Sequence, residues 1–146
     1  MKSTKAVEIF NSGFNCAQSV VSVFADDYGI GKDELLRLSS GLGGGMGGMQ
    51  EICGAATGAY LILGLQFGYS SESENYRKAE VYDIVKEFSK KFVNKNSYLK
   101  CKDLLKCDLS TENGKDYFMQ NNLKEKICSV CVKSAVELTE KFIQRK

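Results

Sequence analysis

The stretch Ile52-Cys53-Gly54-Ala55-Ala56-Thr57-Gly58-Ala59-Tyr60-Leu61-Ile62-Leu63-Gly64-Leu65 decides the fold. It is apolar nearly all round and studded with small residues, the pattern of a helix enclosed on every side rather than laid on a surface. Its 14 residues fall short of the roughly 20 that a helix needs to cross a bilayer. Burial within a protein is therefore the reading it supports, with no membrane as a partner. Gly54 and Gly58 stand four apart on one face, where they allow a second backbone to come close.

Outward from this segment, apolar residues recur with helical spacing. Ala6, Val7 and Phe10 mark a short first helix that Asn11-Ser12-Gly13 ends. Asn15, with Gln18 three residues on, predicts a capped second helix burying Ala17, Val20, Val21 and Phe24 and closing at Tyr28-Gly29. A short helical stretch over Glu34 to Ser40 leads into Gly41-Leu42-Gly43-Gly44-Gly45-Met46-Gly47-Gly48, which interrupts any regular element. Beyond the central segment, the spacing predicts a long amphipathic helix from about Ser73 to Asn94, burying Ala79, Tyr82, Val85, Phe88 and Phe92. Cys101 opens a helical turn, and Asp108 to Gly114 reads as irregular. A last helix is expected from Asn122, a candidate cap with Glu125 three residues on, its stripe formed by Cys128, Cys131, Ala135, Leu138 and Phe142. The expected fold is all-α, a compact single-domain helical bundle over residues 1–146 with the glycine-rich helix buried at its centre.

Composition narrows the chemistry. The chain has 146 residues, no His, no Pro and no Trp. Without imidazole there is no Ser-His-Asp or Cys-His catalytic system, and metal ligands reduce to thiolate and carboxylate. Twenty Lys and Arg against eighteen Asp and Glu leave a charge of +2, too little to make nucleic acid the default partner. The charge is uneven, net −4 over residues 1–76 and net +6 over residues 77–146. Solvated helix faces account for that most simply, although an anionic partner or a homodimer would also exploit it.

Six cysteines dominate what remains: Cys16, Cys53, Cys101, Cys107, Cys128 and Cys131. The opening residues are charged and helical in pattern, unlike a secretory signal, so the expected location is cytoplasmic. In a reducing compartment a cysteine-rich chain points to metal binding, redox chemistry or a reactive thiol, against the simpler reading of Cys as a small buried hydrophobe. Cys16 directly follows the proposed cap Asn15, and Cys53 falls in the first turn of the central helix. A helix start favours thiolate, so both are expected to have depressed pKa values if exposed, Glu51 acting against this at Cys53. Cys128-Ser129-Val130-Cys131 puts two sulfurs on one helix face, but zinc ribbons need a second such pair and ferredoxin-type clusters need denser runs.

The glycine loop has two readings. Its N–H groups suit a nest for a small anion or nucleotide, with Gly43, Gly44, Gly45 and Gly47 as binding residues, yet neither the P-loop ending nor a preceding strand is present. Otherwise, the glycines let backbone pass close to Cys53 without shielding its sulfur.

Asn15-Cys16-Ala17-Gln18, Gly43-Gly44-Gly45-Met46-Gly47, Glu51-Ile52-Cys53-Gly54-Ala55-Ala56-Thr57-Gly58-Ala59, Cys101-Lys102-Asp103-Leu104-Leu105 with Asp108-Leu109, and Cys128 with Val132 and Ala135 occur in this order. Together they resemble the C_GCAxxG_C_C redox-active proteins along nearly the whole chain. The resemblance implies a helical domain, frequent in anaerobes and sometimes joined to other redox modules. By position it gives the family's four cysteine places to Cys16, Cys53, Cys101 and Cys128, leaving Cys107 and Cys131 as additions. The expected function is redox or electron transfer, with an oxidoreductase as the candidate enzyme class and an unidentified redox partner. Two mechanisms stay open. One is thiol/disulfide exchange, and the other an iron–sulfur cluster or other thiolate-bound metal held by those four residues, with Cys131 as a further candidate ligand. The alternative from a different class is a helical ligand-binding or interaction module that uses the Gly41–Gly48 loop, its cysteines structural.

Overall fold

Regular structure in the computed structural model, which describes residues 1–145, is helical apart from one isolated antiparallel bridge between Ile52 and Lys100. Helices α1 (Lys2–Asn11), α2 (Cys16–Ser22), α3 (Ala25–Tyr28) and α4 (Lys32–Leu38) precede the glycine loop. After it come α5 (Gly54–Phe67), α6 (Arg77–Asn96), α7 (Cys101–Leu105), α8 (Glu112–Gln120) and α9 (Ser129–Ile143). Helix α5 packs against α2, α6 and α9, while α1 lies on α2 and α9. The core joins Val20, Val21 and Phe24 to Ile62 and Leu63, to Phe88 and Phe92, and to Val132, Val136 and Phe142. Phe88 anchors the aromatic part, 5.7 Å from Phe142 and edge-on to Tyr60 at 6.0 Å between centroids. Such pairs add about 0.5–1.5 kcal/mol each beyond the area they bury.

Small residues set the closest approach in the bundle. A Cβ on Gly58 would lie 2.9 Å from the Ala17 carbonyl oxygen, and one on Gly54 only 2.5 Å from Cys16 Sγ. Backbone of α5 therefore touches α2 directly, drawing their N-terminal ends together. Asn15 forms the expected capping box on α2, accepting from the Gln18 N–H at 2.9 Å while the Gln18 side chain accepts from the Asn15 N–H at 3.0 Å. No helix among the described residues is long and apolar enough to cross a membrane.

Four expectations need correction. The second helix breaks between Ser22 and Ala25, where the Phe24 N–H bonds back three residues to Val21 and tightens the turn. That tightening keeps both residues in the core. Helix α6 starts at Arg77 and buries only Phe88 and Phe92; Ala79 and Tyr82 are exposed and Val85 half-buried, because packing against α5 and α9 engages its C-terminal half. Asn122 caps nothing: it has φ +52° and its amide donates to the Glu125 carboxylate, and a π-helical turn over Lys124–Cys128 precedes α9. The segment read as irregular near Gly114 belongs to α8, whose start is capped by the Thr111 hydroxyl accepting from the Gly114 N–H at 2.9 Å.

Candidate redox site: a thiol-lined cavity

Five of the six cysteines line one cavity of about 210 Å³: Cys16, Cys53, Cys101, Cys128 and Cys131. The rest of the wall is mainly apolar, with Phe10, Leu104, Leu105, Leu109, Phe118 and Ile127, and its one charged side chain is Lys124. Since a water molecule occupies about 30 Å³ of liquid, the space suits a group of several heavy atoms rather than one bare ion. Among the described residues, no three Cys, Asp or Glu side chains converge as ligands of a single ion would. The sulfurs stand around a wall, and all six cysteines are free thiols.

Each sulfur arrives by a different route. Cys16 is the first residue of α2 and Cys53 the N-cap of α5. The chain on either side of Cys53 is tied to the segment that carries Cys101. Cys53 N–H donates to the Leu99 carbonyl at 2.9 Å and Cys101 N–H to the Glu51 carbonyl at 2.7 Å, around the Ile52–Lys100 bridge. Cys128 ends the π-helical turn and Cys131 lies one turn further on, so both face inward.

The glycine loop is a scaffold for this wall. Its backbone doubles back on itself, with N–H groups of Gly48, Gln50 and Glu51 donating to the carbonyls of Gly43, Gly44 and Gly45 at 3.1, 3.0 and 2.8 Å. At Gly45 the chain has φ +70°, and a Cβ would lie 2.6 Å from the Glu51 nitrogen. Only glycine fits there. Gly44 and Gly45 reach the cavity, whereas Gly43 rests on the Asn15 side chain and Gly47 is exposed. The amides of Gly48, Gln50 and Glu51 are thus already paired within the loop, which removes them as donors to an anion.

Burial reverses the expected thiol acidity. Cys16 is pushed well above the ordinary thiol range, first by its interaction with the Cys53 thiol and then by desolvation, with N–H groups of Gly44 and Ala17 pulling the other way. Cys53 is likewise raised, chiefly through the Cys131 thiol, while Cys16 and the Ala55 N–H favour its anion. The helix starts do point donors at these sulfurs, but the condition of exposure fails and desolvation with crowding wins. Cys101 rises to about 11 through burial and the nearby Cys16, against a hydrogen bond from Gln50. Cys128 rises to about 12 through burial and its neighbours Cys16 and Cys101, against Lys124. Glu51 is exposed and faces Lys100, 3.7 Å away, rather than Cys53.

Two supporting residues escaped the sequence reading. Gln50 is buried at φ +56° and clamps the Cys101–Leu109 arm, its Nε2 donating to the Cys107 carbonyl at 3.0 Å and its Oε1 accepting from Leu109 N–H at 2.8 Å. Lys124 lies over the Phe10 ring at 5.1 Å. Cys107 stays half-buried outside the cavity.

Over residues 14–142 the chain matches the family described as "Putative redox-active protein (C_GCAxxG_C_C)". The chain belongs to that family. Neither a curated protein nor a solved structure matches it. Membership of the C_GCAxxG_C_C family supports a redox role in general terms.

Proposed function

We propose that the chain is an electron-transfer protein whose cavity holds a thiolate-bound iron–sulfur cluster, with Cys16, Cys53, Cys101 and Cys128 as the ligands. The observation that carries the reading is that each of these four sulfurs lines the same cavity and each has a group favouring its anion. For Cys16 these are the N–H groups of Gly44 and Ala17, for Cys53 that of Ala55, for Cys101 the Gln50 side chain, and for Cys128 the charge of Lys124. Four thiolates crowded in an apolar cavity repel one another and are poorly solvated, so these donors make chemical sense when a cationic guest balances the charge. The cavity volume of about 210 Å³, more than a single ion needs, favours a polynuclear guest. When bound, such a cluster supplies one-electron transfer at a potential set by its charge, its solvent exposure and hydrogen bonds to sulfur. The protein holds the sulfurs, directs N–H groups at them and keeps water away with Phe10, Leu104, Leu109 and Phe118. Electrons would pass to and from a separate redox partner.

Anaerobic purification, followed by incubation with ferrous iron and sulfide, tests the reading. The expected product is brown, contains iron and acid-labile sulfide, and loses its visible absorption when any one of the four cysteines becomes Ser. A chain that stays colourless and iron-free overturns it; loss of two titratable thiols on mild oxidation would then assign dithiol/disulfide exchange instead.

A further inference from the structure

Cys131 lies outside the four-cysteine pattern, yet it is the most deeply buried of the six thiols, at 2% exposure against 7% for Cys53. The two side chains interact and both face the cavity. Each is fixed by a helix, Cys53 as the N-cap of α5 and Cys131 in the first turn of α9, and those helices pack on each other. Cys53 also meets Cys16, but the Cys16 sulfur is held in place by two backbone donors and pressed against Gly54. The Cys131 sulfur is surplus to the set that the proposed centre requires.

We propose that Cys131 is the oxidation partner of Cys53, forming a disulfide that closes the empty site to loading until it is reduced. The loading part of this inference rests on the cluster reading above, whereas formation of the bond does not. A hydroperoxide is the fitting oxidant, because hydrogen peroxide is small enough for a cavity of about 210 Å³. One of the two thiols takes an oxygen from hydrogen peroxide, giving its sulfenic acid and one water. The other sulfur then attacks that one, the S–O bond breaks, and the hydroxyl leaves with the attacking thiol's proton as a second water. Two thiols are oxidised by two electrons and one peroxide is reduced to two waters. Cys53 is thereby withdrawn from the ligand set, leaving Cys16, Cys101 and Cys128.

The test uses the full chain, metal-free and reduced, treated with one equivalent of hydrogen peroxide, alkylated and digested. The expected result is a linked Cys53–Cys131 peptide pair, with the other four cysteines alkylated. Subsequent uptake of iron and sulfide should fall at least about tenfold, the lower end of what losing a supporting contact costs a metal site, and return after reduction with dithiothreitol. Cys131→Ser, and Cys131→Ala as a second variant, should load normally when reduced and keep Cys53 alkylatable after peroxide. A Cys16–Cys53 link, or Cys131 still alkylated after Cys53 is consumed, overturns the pairing. Equal loss of loading in the variants and the parent overturns the gating. If the reduced parent takes up no iron, the cluster reading falls, and the peptide map still decides the pairing independently.

Discussion

Gly54 presses so closely on Cys16 that a methyl group built on it would lie 2.5 Å from Cys16 Sγ and 3.0 Å from the Leu42 carbonyl oxygen. The glycine of the Cys-Gly-Ala segment therefore sets the position of a sulfur on a different helix. Gly54→Ala should displace Cys16 and cost about 1–3 kcal/mol by overpacking. Gly64 lies in the same helix with nothing within 4 Å of an added Cβ, so Gly64→Ala should stabilise by about 0.5–1 kcal/mol. Urea denaturation of both variants checks the opposite signs.

Gln50→Ala should release the Cys101 arm. It strands the Cys107 carbonyl and the Leu109 N–H, both bonded to the Gln50 side chain, at a cost of about 1–3 kcal/mol. Timed alkylation of the metal-free chain should show Cys101 reacting faster than in the parent, with Cys131 little changed. Equal acceleration at both positions would indicate general loosening instead.

Stability of the metal-free chain should fall in alkali. Cys101 and Cys128 have folded-state values of about 11 and about 12, above the ordinary 9.0 that the unfolded chain approaches. Below pH 9 both states keep these protons, and their contribution is fully present. Above it the unfolded chain releases protons that the folded chain retains, so stability is lost as pH rises towards and through 11 to 12. Urea midpoints from pH 7 to 10.5 should decline from near pH 9, less steeply in Cys101→Ser and Cys128→Ser.

Lys124→Gln removes the one positive charge on the cavity wall. In a loaded protein the midpoint potential should move to more negative values, since a nearby cation favours the reduced, more negative centre. Redox titration of parent and variant reads the shift, and because Lys124 is exposed, raised ionic strength should diminish it.

The legible parts of the site were those written in short-range chemistry. Asn15 and Gln18 announce the start of α2 because a capping box needs only residues three apart, and Cys16 follows from it. The apolar run puts Cys53 inside the first turn of a central helix from about Met49 to Phe67; the helix starts only at Gly54, which makes Cys53 its N-cap. What was not legible depends on three-dimensional company. Tyr117, Phe118 and Met119 are consecutive in α8 and give no helical spacing, so the helix carrying Phe118 to the cavity was missed. The π-helical turn before α9 has no signature in the order Lys124-Glu125-Lys126-Ile127-Cys128. The acidity expected of exposed thiols does not apply here: a helix start acts locally, whereas the desolvation and crowding that raise these thiols come from Cys131, Cys101 and other distant residues.

The short bridge at Ile52 and Lys100 joins two parts of the vessel, and the main-chain bonds flanking Cys53 and Cys101 are made between protein groups alone. Unlike a zinc finger, which is unfolded without its metal, this chain should stand ready when empty. Filling it would then be an insertion rather than a folding event, leaving the far-ultraviolet circular dichroism unchanged while colour appears.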